Sequence, residues 1–142
     1  MMLDRNKVAF LLVEDNAIDV EAFERAIRRH EIQRTVHVSD NAADALALLR
    51  APSQDGMSKR FIVFLDLNMP AASGHDLLTE IRNDPQLCNS IVFVLTTSDL
   101  ESDVRKAYEK NVAGYFTKDR IDDLMRAIKP FSESVLPPPH RG

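Results

Sequence analysis

The run Phe61-Ile62-Val63-Phe64-Leu65-Asp66-Leu67-Asn68-Met69-Pro70 decides how this chain folds. Its first five residues are apolar without alternation and rich in β-branched and aromatic side chains. That pattern predicts a strand buried on both faces, as in a parallel sheet covered by helices. The run then stops abruptly on a carboxylate. Val8 to Val13 and Ile91 to Leu95 read the same way. Thr35 to Ser39 and Val112 to Thr117 are shorter or more polar, as suits strands at the edges of a sheet.

Between these runs the apolar residues recur with helical spacing. Ile18, Phe23, Ala26 and Ile27 share a face from about Ala17 to His30. Ala42, Ala45, Leu46 and Leu49 do so in a second helix, and Leu77, Leu78 and Ile81 in a third. The third ends before Pro85, because the residue preceding proline avoids helical geometry. Val104, Ala107 and Tyr108 mark a fourth helix; Ile121, Leu124, Met125 and Ile128 mark a fifth, which Pro130 is expected to end. Strict alternation of five strands and five helices implies right-handed βαβ crossovers and an α/β doubly wound sandwich with strand order 2-1-3-4-5. Residues 1–130 are read as one domain and 131–142 as an extended C-terminal tail, with a long polar loop from Ala51 to Arg60.

Bulk properties remove several function classes. A chain of 142 residues suits a single core and leaves no room for a second domain. The net charge of −4 argues against nucleic-acid binding, which needs clustered Lys and Arg. No run is long enough to span a membrane and the start lacks a signal-peptide core, so a cytoplasmic location is expected. The one cysteine, Cys88, and the scattered His30, His37, His75 and His140 show no zinc spacing.

In a doubly wound sheet, ligands gather outside the carboxyl ends of the strands where strand order reverses. Glu14-Asp15 follow the first strand, Asp66 the third, Thr96-Thr97-Ser98 the fourth and Lys118 the fifth. Crowded carboxylates repel one another unless a cation joins them. An oxygen-only donor set selects a hard ion, and Mg²⁺ fits, with Glu14, Asp15, Asp66 and the backbone carbonyl of Asn68 as candidate ligands. The same arrangement suits covalent phosphoryl transfer with Asp66 as nucleophile, and with Lys118 and the Thr96 hydroxyl donating to the transferred oxygens. Singly, each residue has a plainer reading: Asp15 or Asn16 as a helix cap, Thr96 as a strand-end hydroxyl, Lys118 as a solvated charge. Their joint placement at four strand ends favours the site.

The segments Leu11-Leu12-Val13-Glu14-Asp15-Asn16, Leu65-Asp66-Leu67-Asn68-Met69-Pro70 with Ser73-Gly74, Val94-Leu95-Thr96-Thr97-Ser98 and Gly114-Tyr115-Phe116-Thr117-Lys118 together resemble the response-regulator receiver domains, over Lys7 to about Ile128. The resemblance implies a flavodoxin-like (βα)5 fold and a two-component phosphorelay in which a histidine kinase phosphorylates Asp66. Glu14 and Asp15 would be the acidic metal-site residues, Thr96 and Lys118 the phosphate-sensing residues, and Tyr115 an aromatic switch. Self-catalysed phosphorylation and dephosphorylation, rather than turnover of an external substrate, would be the chemistry. Leu95-Thr96-Thr97-Ser98, Ala107-Tyr108, the long loop before the third strand and the lack of an output domain also resemble the stand-alone regulators that partner bacterial phytochrome-type kinases. Two positions depart from the family pattern. Glu14 stands where Asp is common, and Asp119 follows Lys118 where proline is usual, which leaves the geometry of the Lys118-Asp119 bond open.

Three rival readings are weaker. Phosphatases of the haloacid dehalogenase type place a second Asp two residues after the nucleophile, where this chain has Asn68. Flavin or nucleotide modules need a phosphate cradle after the first strand, where Glu14-Asp15 would repel it. A pseudo-receiver acting only as a binding module would not need the full acidic, Thr and Lys set. The kinase is expected to dock near Asn16, Ala17, Ile18 and Val20, and a homodimer is expected through the fourth helix, fifth strand and fifth helix.

Overall fold

The computed structural model describes residues 8–51, 60–69 and 72–133. Most of the Ala51–Arg60 loop, Pro70 and the tail beyond residue 133 lie outside the described residues. Strands β1 (Val8–Val13), β2 (Val36–Ser39), β3 (Arg60–Leu65), β6 (Ile91–Thr96) and β7 (Gly114–Thr117) form one parallel sheet. Its order is β2-β1-β3-β6-β7. A two-residue antiparallel ribbon, β4 (Asn68–Met69) with β5 (Ala72–Ser73), stands apart from it. With the ribbon left out of the count, this is the expected order 2-1-3-4-5, and the two weaker runs are the edges.

The helices are α1 (Ala17–Arg29), α2 (Ala42–Arg50), α3 (Gly74–Asn83), α4 (Glu101–Glu109) and α5 (Ile121–Glu133). Alternate residues of each central strand face opposite sides of the sheet. Leu11, Val13, Val63, Leu65, Val92 and Val94 pack against Ala45 and Leu46 of α2, Leu77, Leu78 and Ile81 of α3 and Ala107 of α4. Phe10, Leu12, Ile62, Phe64, Phe93 and Leu95 pack against Phe23, Ala26 and Ile27 of α1 and Leu124, Met125 and Ile128 of α5. Continuous apolar runs are therefore needed because both faces are covered. Phe64 sits at the centre of the second layer, its ring 5.0 Å from Phe10, 5.1 Å from Phe23 and 5.8 Å from Phe93.

Four expectations need correction. Ile18 does not join the buried face of α1 but is 76% exposed, and Tyr108 of α4 is 49% exposed. Both helices bury a narrower stripe than their apolar residues suggest, α4 through Ala107 alone. Val112 precedes β7, which begins at Gly114. Pro130 lies inside α5 rather than ending it. Proline takes away the bond that an N–H at position 130 would give within the helix, but the last turn has other ties: Arg34, from outside α5, donates to the Ser132 carbonyl at 2.9 Å, and within the turn the Ser132 hydroxyl donates to the Lys129 carbonyl at 2.7 Å.

Candidate functional site at the strand ends

Parallel pairing sends the C-termini of all five strands to one edge. The crossover from β1 runs to β2 on one side, whereas the chain continues from β3 through β6 and β7 on the other. The crevice therefore opens between the ends of β1 and β3. Their register pairs Val13 with Leu65, and the Asp66 N–H donates to the Val13 carbonyl at 3.1 Å, which sets Glu14 and Asp66 side by side. Pairing of Leu65 with Val94 and of Thr96 with Thr117 brings Thr96 and Lys118 to the same place.

Glu14 and Asp66 are each only 3% exposed and Thr96 is fully buried. Asp66 Oδ1 accepts from the Asn68 N–H at 3.0 Å and the Thr96 hydroxyl at 2.8 Å, and Asp66 Oδ2 accepts from the Lys118 ammonium at 3.0 Å. Glu14 Oε2 accepts from the Asn16 N–H at 3.1 Å, while Glu14 Oε1 lies 2.7 Å from Lys118 Nζ. Asp15 is exposed, yet one of its carboxylate oxygens lies within 4.8 Å of one from Glu14 and one from Asp66. Asn68 contributes a side-chain bond as well, from its amide to the Thr97 hydroxyl at 3.2 Å.

Burial alone would raise the Asp66 pKa, but the Asn68 N–H, the Lys118 ammonium and the Thr96 hydroxyl together hold it below the ordinary carboxylate value. Asp66 is thus kept ionised and directed. Burial pushes Glu14 up to about 7, against the pull of Lys118 and with the Asp66 charge adding to it. Burial would lower Lys118, but its bonds to Asp19, Glu14 and Asp66 outweigh that and raise it. One ammonium faces more carboxylates than it can neutralise, and every candidate donor is a hard oxygen. That is the condition under which a divalent cation adds stability rather than strain.

The remaining expected residues are placed as follows. Tyr115 is half-buried against the first core layer, its hydroxyl donating to the Ser98 carbonyl at 2.7 Å. Ser98 donates in turn to Asp103 at 2.5 Å, and His75 Nε2 lies 3.1 Å from the other Asp103 oxygen. Asn16 is the N-cap of α1, accepting from the Asp19 N–H at 3.0 Å, so its capping reading holds. Asn16, Ala17 and Ile18 are exposed beside the crevice, whereas Val20 packs partly on the core. The Lys118-Asp119 bond is trans, since no cis peptide occurs among the described residues.

Two residues carry more than their sequence suggested. Gly74 donates to the Leu67 carbonyl at 3.2 Å, and a β-carbon there would lie 2.5 Å from the Asp66 carbonyl oxygen and 2.6 Å from the Leu67 Cα. Only glycine lets α3 start so close to the strand end. Asp19, a third neighbour of Lys118 at 2.6 Å, has no distinguishing mark in the sequence, because an acidic residue in a first helical turn is ordinary.

A flavodoxin-like sandwich with a buried, directed aspartate and an acidic cluster at its switch point defines the class. Residues 10–129 match the response regulator receiver domain, and the chain belongs to that family. It is 34% identical over 121 residues to response regulator Rcp1 of Synechocystis sp. (strain ATCC 27184 / PCC 6803 / Kazusa), covering 84% of this chain and 82% of that protein. The crystal structure of the Mn(2+)-bound form of Rcp1 superposes with a TM-score of 0.74 at 30% identity, over 92% of this chain and 98% of that one. The phosphorylated cyanobacterial phytochrome response regulator RcpA gives 0.74 at 29% identity, over 91% and 96%. The probable methanogenesis regulatory protein FilR2 of Methanothrix harundinacea (strain 6Ac) is 34% identical over 127 residues, 89% of this chain and 82% of that protein.

Proposed function

We propose that this receiver domain accepts a phosphoryl group on Asp66 from the phosphohistidine of a histidine kinase, and that the reaction depends on Mg²⁺. The observation that carries the reading is the bonding of Asp66: a buried, ionised carboxylate fixed by Thr96, Asn68 and Lys118, with Glu14 and Asp15 alongside. An Asp66 oxygen forms the new P–O bond as the P–N bond to the donor imidazole breaks, the imidazole nitrogen keeping the electron pair. The Lys118 ammonium and the Thr96 hydroxyl turn from the carboxylate to the phosphoryl oxygens. Mg²⁺, held by Glu14, Asp15, Asp66 and the Asn68 carbonyl, would supply further positive charge to those oxygens. Attack of water on phosphorus reverses the modification and releases free phosphate.

Once Thr96 is drawn to the phosphoryl group, the space beside it opens to the Tyr115 ring, whose hydroxyl is now bonded to the Ser98 carbonyl. A packed two-state element then reports a local charge to partner surfaces. Rcp1 is a response regulator and RcpA a phytochrome response regulator, and a phytochrome-type kinase is accordingly the first donor to try. Exposed Ile18, with Asn16, Ala17 and Val20, forms the surface beside the crevice on which that kinase docks.

Purified histidine kinases, phytochrome-type included, should pass radiolabelled phosphate to the wild type in Mg²⁺ and not to Asp66→Asn, and transfer to Ile18→Glu should be slower. Label retained on Asp66→Asn, or no transfer from any kinase or small phosphodonor, would refute the reading. Transfer to Ile18→Glu at the wild-type rate would remove the docking surface alone.

A further inference from the structure

Lys118 has three N–H bonds to give, and all three are given to carboxylates: Glu14 at 2.7 Å, Asp19 at 2.6 Å and Asp66 at 3.0 Å. Glu14 and Asp66 belong to the acidic cluster at the strand ends; Asp19 does not. Asp19 is the third residue of α1, the position whose side chain in a capping box reaches back to the N–H of the N-cap. Here that N–H, from Asn16, is taken by Glu14 instead, at 3.1 Å. The Asn16 side chain still accepts from the Asp19 N–H at 3.0 Å, which holds the Asp19 backbone while freeing its carboxylate to cross to Lys118. An ordinary first-turn acid would only soften the helix dipole from solvent. This one is aimed into the site by a cap whose other half is supplied by a site residue.

We infer that Asp19 is a positioning residue for phosphoryl transfer, the anchor that keeps the Lys118 ammonium over Asp66 while its other acceptors change. The inference rests on the reading of Asp66 as phosphoacceptor. In the transfer, Asp66 loses acceptor strength as its oxygen becomes part of an acyl phosphate, and Glu14 shares its charge with whatever cation the cluster holds. Asp19 is the one partner of Lys118 that the reaction leaves unaltered. With it in place, one N–H stays fixed and another is free to turn to the phosphoryl oxygen. Without it, a flexible four-carbon side chain must be ordered during the reaction itself.

The test uses the full chain, Mg²⁺ and acetyl phosphate, whose P–O bond to acetate breaks as the Asp66 P–O bond forms, acetate leaving with the electron pair. Asp19→Asn, which keeps the backbone cap, should lower the rate of acyl phosphate formation at saturating donor about tenfold. The same substitution in a Lys118→Ala background should have no further effect, because the residue acts only through that lysine. In metal-free protein, the Lys118 ammonium resonance in nitrogen-edited NMR should broaden in Asp19→Asn as exchange with water speeds up. A wild-type rate for Asp19→Asn, or equal slowing with and without Lys118, overturns the inference and leaves the phosphoacceptor reading intact. If the wild type itself gains no label, or Asp66→Asn does, both fall together.

Discussion

Gly74 shows how much a single missing methyl group can decide. A β-carbon there would meet the Asp66 carbonyl oxygen at 2.5 Å and the Leu67 Cα at 2.6 Å, both backbone atoms at the strand end that carries Asp66. Neither can swing aside as a side chain would. Gly74→Ala should therefore cost about 1–3 kcal/mol in urea unfolding and, by shifting Asp66 against Lys118 and Thr96, slow acyl phosphate formation about tenfold. Unchanged stability and rate would show that α3 moves off freely. Glu14, Asp15, Asp66, Thr96 and Lys118 were legible because each follows an apolar run, and strand ends of a parallel sheet meet at one edge. Gly74 was legible only as part of a motif, since its use depends on how closely α3 approaches. Asp103 and His75 left no signal at all: they are 28 positions apart, and only the packing of α3 beside α4 joins them.

At the scale of elements, α1 and α5 cover the same face of the sheet and are tied at their ends. Asp122 Oδ1 accepts from Arg29 at 2.6 Å and lies 2.8 Å from His30 Nε2. The Arg29 bond first, and the His30 contact after it, bring the Asp122 pKa down to about 2 from 3.8. A folded-state pKa below the unfolded one stabilises the fold above the unfolded value, and that contribution disappears as pH falls through the folded one. The difference in unfolding free energy between wild type and Asp122→Asn should thus be present at about pH 5 and shrink between about pH 4 and pH 2. A difference independent of pH over that range would show that the ion pair adds nothing. The periodicity placed α1 to within a residue, Ala17–Arg29 against an expected Ala17 to His30, but not how it closes. Both α1 and α4 close with the two bonds of a Schellman turn: Glu31 N–H to Arg28 and Ile32 N–H to Ile27, then Asn111 N–H to Tyr108 and Val112 N–H to Ala107. Glu31 (φ 56°) and Asn111 (φ 61°) take the left-handed position that glycine usually marks. Glu31 gave no sequence cue to that turn, and Pro130 gave a misleading one.

For the whole molecule, sheet order followed from the hydrophobicity of the strands: continuous runs became central and the two weaker ones became edges. What such patterning cannot show is which exposed surface has a partner, because an outward apolar residue reads like an inward one until the helix is docked. Tyr108 and Leu100 are examples, 49% and 62% exposed around α4. They stand next to β7, which pairs only with β6 and leaves its other edge without a strand among the described residues. On the far side of β7 lies α5, with Phe131 exposed. An unpaired edge between two helices with apolar residues outward suits a self-complementary contact, in which each patch meets its own copy across a two-fold axis. Static light scattering should accordingly give a dimer mass for the wild type, and Tyr108→Glu, which places a charge in the contact without touching the core, should shift it toward the monomer. In the proposed Thr96–Tyr115 switch phosphorylation acts on the same face, so the dimer fraction should change when acetyl phosphate and Mg²⁺ are added, and should not change in Asp66→Asn. A monomer mass in all these conditions would exclude this face as a homodimer contact.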